Sequence, residues 1–123
     1  MIAADTNVWI AFLNGIQNKN TDRLAQALER GMVVMPTVVL FELLSGELSQ
    51  ETEGYLIAVP ATTSNLVFWL NAAKMRKQLL GRGLKSRIAD CLIAQSCIDS
   101  DCEFLTEDKD FRHYLKFGLR IAK

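Results

Sequence analysis

The sequence predicts an α/β fold with a mostly parallel sheet of four to five strands, covered on both faces. Two observations carry this expectation. Short apolar runs suited to strands alternate with longer segments of helical spacing. The runs are also apolar at consecutive positions, as strands buried on both faces require. At 123 residues the chain fits one domain, 1–123. Ile2 to Ala4 is apolar, ends at an acid, and predicts a strand. Thr6 to Leu13 carries Val8, Trp9, Phe12 and Leu13 at helical spacing, and Asn14-Gly15 stops it. Thr21 and Asp22 offer caps to a helix over Arg23 to Arg30, with Gly31 as its stop. Met32 to Met35 has β-branched residues at its centre and predicts a buried strand. Pro36-Thr37 opens a helix through about Leu48, and Tyr55 to Val59 predicts a further strand closed by Pro60. Ser64 to Leu80 is the longest helical pattern, ended by Gly81 and Gly83. Ser86 is placed to cap a helix running to about Ile98. Glu103 to Leu105 reads as a strand, Asp108 to Leu115 as a short helix or turn, and Leu119 to Ala122 as a last strand.

Composition narrows the function. Apolar residues make up 50% and charged residues 23%, which fits a globular fold rather than a disordered tail. Pro60 and Thr62-Thr63-Ser64-Asn65 interrupt the longest uncharged stretch, so no segment there suits a bilayer. An acid at position 5 precludes a secretory h-region, and a cytoplasmic location is the expectation. The three cysteines, Cys91, Cys97 and Cys102, form no C-x-x-C. The one histidine, His113, has no histidine partner, which argues against zinc. Fourteen acids balance fourteen bases, but unevenly. Residues 74 to 87 hold six bases and no acid, while residues 88 to 110 hold seven acids and one base.

Three acids occupy unusual places. Asp5 ends the first apolar run. Glu42 is the only charge between Gly31 and Glu47, and Asp90 the only charge in Ile88 to Ala94. Apolar residues surround Glu42 and Asp90, so each is expected to be partly withdrawn from water, which is costly unless something pairs with it. A fourth cluster, Thr106 to Asp110, follows a strand and so belongs at the carboxyl edge of the sheet, beside Asp5. Two like charges about 5 Å apart at an effective dielectric of about 20 repel by roughly 3 kcal/mol. Protonation or a cation must relieve four of them. Hard oxygen ligands favour Mg²⁺ or Mn²⁺, which suits phosphodiester hydrolysis. Each acid also has an ordinary reading: Asp5 and Asp108 as caps or turn residues, Glu42 and Asp90 as partners of an arginine.

Asp5-Thr6-Asn7-Val8-Trp9-Ile10, then Glu42 in a helix opened by Pro36-Thr37, then Arg87-Ile88-Ala89-Asp90-Cys91-Leu92-Ile93-Ala94, then Leu105-Thr106-x-Asp108-x-Asp110-Phe111 together resemble the PIN-domain nucleases. The nearest subgroup is the VapC-type toxins of toxin–antitoxin pairs, and the resemblance runs nearly the whole chain. It implies a three-layer α/β/α sandwich and an Mg²⁺- or Mn²⁺-dependent endoribonuclease. It assigns catalytic roles to Asp5, Glu42, Asp90 and Asp108, with Asp5, Asp90 and Asp108 on the metal. Thr6 and Thr106 are supporting hydroxyls, and Asp110 is the alternative to Asp108 or a helix cap. It further implies an RNA substrate, a homodimer and a cognate antitoxin that blocks the site.

Other readings fit less well. A haloacid-dehalogenase-type phosphatase needs an Asp where Asn7 stands. A receiver domain needs a phosphoacceptor Asp where Pro36-Thr37 follows Met35. Gly81-x-Gly83-x-x-Ser86 follows a helix rather than a strand and is no dinucleotide loop. A non-catalytic PIN-like interaction module is the rival from another class. For RNA contact the candidates are Arg82, Lys85 and Arg87, which flank or follow the Gly81–Gly83 turn leading to Asp90. Phe68 and Trp69 are expected in the core, with a dimer contact as the alternative.

Overall fold

The structure, a computed structural model, describes residues 1–123. Its elements are β1 (Ile2–Ala4), α1 (Thr6–Leu13), α2 (Lys19–Glu29), α3 (Thr37–Leu44), α4 (Gln50–Ala58), α5 (Leu66–Gly81), α6 (Ile88–Asp99), β2 (Glu103–Leu105), a 3-10 helix (Lys109–Phe117) and β3 (Arg120–Ile121). The three strands are parallel, in the order β1-β2-β3, with Ala4 opposite Leu105 and Phe104 opposite Ile121. On the other side of β1, Ile2 bridges Val33, and Met35 bridges Ala61, both in parallel. The bridge positions therefore bring the sheet to the expected breadth without forming full strands. Pro36 follows Met35 at once and Pro60 lacks an N–H, so neither flank can lengthen its ladder.

This order has a consequence for the site. From β1 the chain first steps outward through Val33 and Met35 to Ala61. It then returns to β2, on the opposite side of β1, and steps outward again to β3. The direction reverses between β1 and β2. In open α/β sheets a ligand crevice opens at the carboxyl ends of strands at such a point. Asp5 and Thr106 stand immediately beyond those two ends.

Several elements depart from the expectation. Tyr55 to Val59 is not a strand: α4 covers most of it. Ser49 accepts from the Thr52 N–H, and Glu51 and Glu53 occupy the first turn, where the helix dipole favours acids. The strand position passes to Ala61. The expected strand from Met32 to Met35 reduces to bridges at Val33 and Met35. α2 starts at Lys19 because Asn18 is the cap, and Thr21 closes a capping box with it instead of capping a later start. α3 ends at Leu44 rather than near Leu48, and Ser45 Oγ turns back to the Phe41 carbonyl at 2.7 Å. α5 starts at Leu66, capped by Asn65, whose side chain accepts from the Phe68 N–H. Gly83, at φ +73°, makes the turn out of α5 that a side chain would strain.

Burial follows the sequence pattern in the centre of the molecule. Trp9, Phe104, Phe111 and Tyr114 are buried, and the Phe104 and Phe111 rings meet at 4.8 Å. The three cysteines are free and buried, as small core residues. The Trp9 indole N–H is buried without a partner, a cost of about 1–3 kcal/mol. α5 buries only the stripe Phe68, Ala72, Met75 and Leu79. Trp69 is 50% exposed and so leaves the core expected for it. α1 packs on α2 and α3, α5 packs on α6, and α3 also touches α6. The elements carrying Glu42 and Asp90 are thus neighbours. No helix is long and apolar enough to cross a membrane.

Candidate functional site

A chain of short hydrogen bonds organises the reversal point. The Asp5 N–H donates to the Leu105 carbonyl at 2.9 Å, which locks the end of β1 to the end of β2. Asp5 then caps α1, with Oδ1 accepting from the Thr6 N–H at 2.8 Å. Its Oδ2 accepts from Thr106 Oγ1, also at 2.8 Å. Thr106 Oγ1 accepts in turn from the Asp108 N–H at 3.0 Å, and Asp108 Oδ1 accepts from the Asp110 N–H at 2.9 Å. On the other flank Thr6 Oγ1 donates to Glu42 Oε1 at 2.7 Å. Two threonine hydroxyls therefore each hold one carboxylate in place.

Asp90 joins from α6, in the first turn of that helix. Its pKa is raised from 3.8 to about 6: burial contributes most, repulsion from Asp5 and then Asp108 adds to it, Arg87 opposes, and Glu42 contributes least. Burial also raises Asp5, the bonds from Thr106 and Thr6 pull it down, and Asp108 and Glu42 push it up. The four acids picked out from the sequence therefore share one electrostatic neighbourhood. Two details differ from expectation. Glu42 is exposed rather than withdrawn from water, because α3 turns it and the 71%-exposed Phe41 outward. Asp108, not Asp110, caps the 3-10 helix, and Asp110 lies in that helix's first turn.

Arg82, Lys85 and Arg87 are all exposed. Arg82 ends α5, and Arg87 is the residue at the start of α6, which has no side-chain cap. Its N-terminal N–H groups and dipole remain available to an anion. Ser86 does not cap α6; its hydroxyl lies 2.8 Å from that of Tyr114. Sequence reasoning also missed a polar cavity of about 110 Å³ beside Asp5 and Asp108, to which Asn7, Asn18 and Glu107 contribute. Asn7 and Glu107 adjoin the acid motifs, and that adjacency was the available signal. The largest concavity, about 390 Å³, lies elsewhere, in an apolar groove between α5 and α6 that includes Trp69 and Ile88.

As placed, no three acidic, histidine or cysteine side chains form a group that could hold a metal ion. The donor set nevertheless suits a hard cation. It is all carboxylate oxygen, Glu42 and Asp108 are exposed, and burial together with repulsion from the neighbouring acids raises Asp5 and Asp90. A cation relieves that repulsion directly.

A parallel sheet with carboxylates gathered at its point of reversal defines an α/β domain with an acidic ligand crevice. The chain belongs to the PIN domain family, whose profile matches residues 2–116. PIN domains are in general nucleases that use divalent metal ions. The fold matches that of VapBC-1 from nontypeable Haemophilus influenzae at TM-score 0.76 and 21% identity, over 100% of this chain and 98% of the other. It matches VapBC2 from Rickettsia felis, bound to a promoter DNA fragment, at TM-score 0.76 and 19% identity, over 99% and 98%. FitAcB from Neisseria gonorrhoeae matches at TM-score 0.71 and 17% identity, over 100% and 97%. No curated protein sequence matches the chain.

Proposed function

We propose that the chain is a metal-dependent endoribonuclease and the toxin of a toxin–antitoxin pair. The observation that carries this reading is the meeting of Asp5, Glu42, Asp90 and Asp108 at the sheet's reversal point, where burial and the neighbouring acids raise the proton affinity of Asp5 and Asp90. Asp5, Asp90 and Asp108 would hold Mg²⁺ or Mn²⁺. When bound, such an ion orients a water, lowers its pKa and offsets charge on the phosphate and leaving oxygen. Thr106 fixes Asp5 Oδ2, and Thr6 fixes Glu42 Oε1. Glu42 Oε2 is left to accept a proton from the attacking water. Arg87 and the uncapped start of α6 face an incoming phosphate, and Arg82 and Lys85 extend the positive surface along the RNA backbone.

The structural matches to VapBC-1 and VapBC2 support an antitoxin partner that covers the acids. A homodimer is supported by α5, where Leu66, Val67, Trp69 and Leu70 are 50–71% exposed and a second copy would cover them. A cytoplasmic location agrees with the absence of any membrane-spanning helix.

The test uses purified protein and a single-stranded RNA. Cleavage should need Mg²⁺ or Mn²⁺, stop in EDTA, and spare the matching deoxyribose strand. Asp5→Asn should abolish it without unfolding the protein, since Asn caps α1 as well as Asp does. Intact RNA under every metal condition, with no metal effect on the melting temperature, would return the chain to a non-catalytic interaction module.

A further inference from the structure

Asp90 and Asp108 reach the site on separate elements, α6 and the 3-10 helix, so their spacing depends on how those two elements are joined. The lead into α6 is held from two directions. From α5, Arg76 Nε donates to the Ser86 carbonyl at 2.8 Å, and Cys91 Sγ donates to the Ala72 carbonyl at 3.2 Å. α5 carries none of the four acids. From the 3-10 helix, consecutive residues reach across: His113 Nδ1 lies 3.3 Å from the Lys85 carbonyl, and Tyr114 Oη lies 2.8 Å from Ser86 Oγ. The histidine contact is exposed to solvent. The tyrosine contact is buried, with Tyr114 1% and Ser86 4% exposed.

We propose that Tyr114 is a positioning residue: through Ser86, its hydroxyl sets Asp90 against Asp108. This rests on the metal-site reading of those acids. The placement of Ser86 is the informative point. Ser86 lies one residue before Arg87, the cap position of α6; that helix has no side-chain cap, and the Ser86 hydroxyl is used 28 residues away instead. Tyr114 is anchored by its ring, whose centroid lies 5.8 Å from that of Phe111 in the core. The 3-10 helix it belongs to begins at the Asp108 cap. One buried bond thus connects the frame of Asp108 to the frame of Asp90. Burial pushes the Tyr114 hydroxyl up to about 12, so it stays protonated and hydrogen-bonding throughout any ordinary assay.

The test is Tyr114→Phe, which keeps the ring and removes only the hydroxyl. The probe is MnCl₂ alone, and the readout is the Mn²⁺ concentration giving half the thermal stabilisation, beside kcat and KM on single-stranded RNA. Removing a partner that orients a metal ligand typically weakens metal binding about 10- to 100-fold. The Mn²⁺ midpoint should rise about 10-fold, and kcat should fall with KM little changed. Tyr114→Phe combined with Ser86→Ala leaves no orphaned hydroxyl, so its melting temperature should recover while the Mn²⁺ midpoint stays high. If Tyr114→Phe fails to fold, Ser86→Ala breaks the same bond and carries the same expectation. A wild-type midpoint in the folded variant overturns this inference alone. No Mn²⁺ response in the wild type overturns the metal-site reading, and this inference with it.

Discussion

Replacing Asp90 by Asn should make the metal-free protein more stable. The magnitude follows from its surroundings. Burial, then Asp5 and Asp108, lift Asp90 from 3.8 to about 6 against the pull of Arg87. For a wholly buried carboxylate that rise is worth about 3 kcal/mol. Asp90 is only partly buried, so screening removes about half and leaves roughly 1.5 kcal/mol. The sign is set by which state binds the proton longer. The folded value lies above the unfolded one, so the folded chain holds its proton longer. The cost is absent below about 3.8, grows as pH rises, and is complete above about 6. Asn keeps the shape and never ionises. In EDTA at about pH 7.5 the variant should melt about 5 °C above wild type, at the few degrees per kcal/mol expected for a chain of this size. Below about pH 5 the gap should shrink. Adding Mn²⁺ should raise the wild type and leave the variant nearly unmoved. Calorimetric melts across that pH range check each step. A variant no more stable than wild type in EDTA at about pH 7.5 refutes the idea that burial and the neighbouring acids make an ionised Asp90 costly.

Three further outcomes are expected. Arg82→Ala with Lys85→Ala should weaken RNA binding across sequences and flatten the plot of log affinity against log salt by about 0.7 per lost phosphate contact, with little change in melting temperature; filter binding at several salt concentrations measures it. A cognate antitoxin segment carrying an arginine should compete with Mn²⁺ for the acids, because guanidinium pairs with carboxylate bidentately; titrating the segment with and without saturating Mn²⁺ reads this, and equal affinities count against it. Trp69→Glu should convert the proposed dimer to monomer in sedimentation while leaving the metal response intact, since Trp69 is exposed on α5, which carries none of the four acids.

The positions of the acids were legible because a charge inside an apolar run is conspicuous. Asp5 at the end of β1 and Thr106 after β2 need only the strand pattern, and parallel pairing then brings them together. Their hydrogen bond was not legible, because spacing carries no information on which strands adjoin. Glu42 misled differently. Its apolar neighbours suggested burial, but α3 is two turns long and leaves Phe41 exposed beside it. In α4, Tyr55-Leu56-Ile57 looked like a strand by propensity. The Ser49 cap and the acids of the first turn outweighed that preference, and only Leu56 needed burial. Ser86 is the clearest miss. Its hydroxyl fits a local cap as well as a distant phenol, and only the folded chain shows which it takes.

The bond from Thr106 to Asp5 spans 101 residues. A chain emerging from the ribosome carries Asp5 and Glu42 long before it carries β2, and Asp90 shortly before it. Until residues 103–108 are free of the exit tunnel, β1 has no partner on that side, Asp5 Oδ2 has no donor, and Asp108 is absent. Closing so long a loop comes late in assembly. The acids of a growing chain are thus scattered, and the pocket comes into being only once β2 and the loop after it have been made.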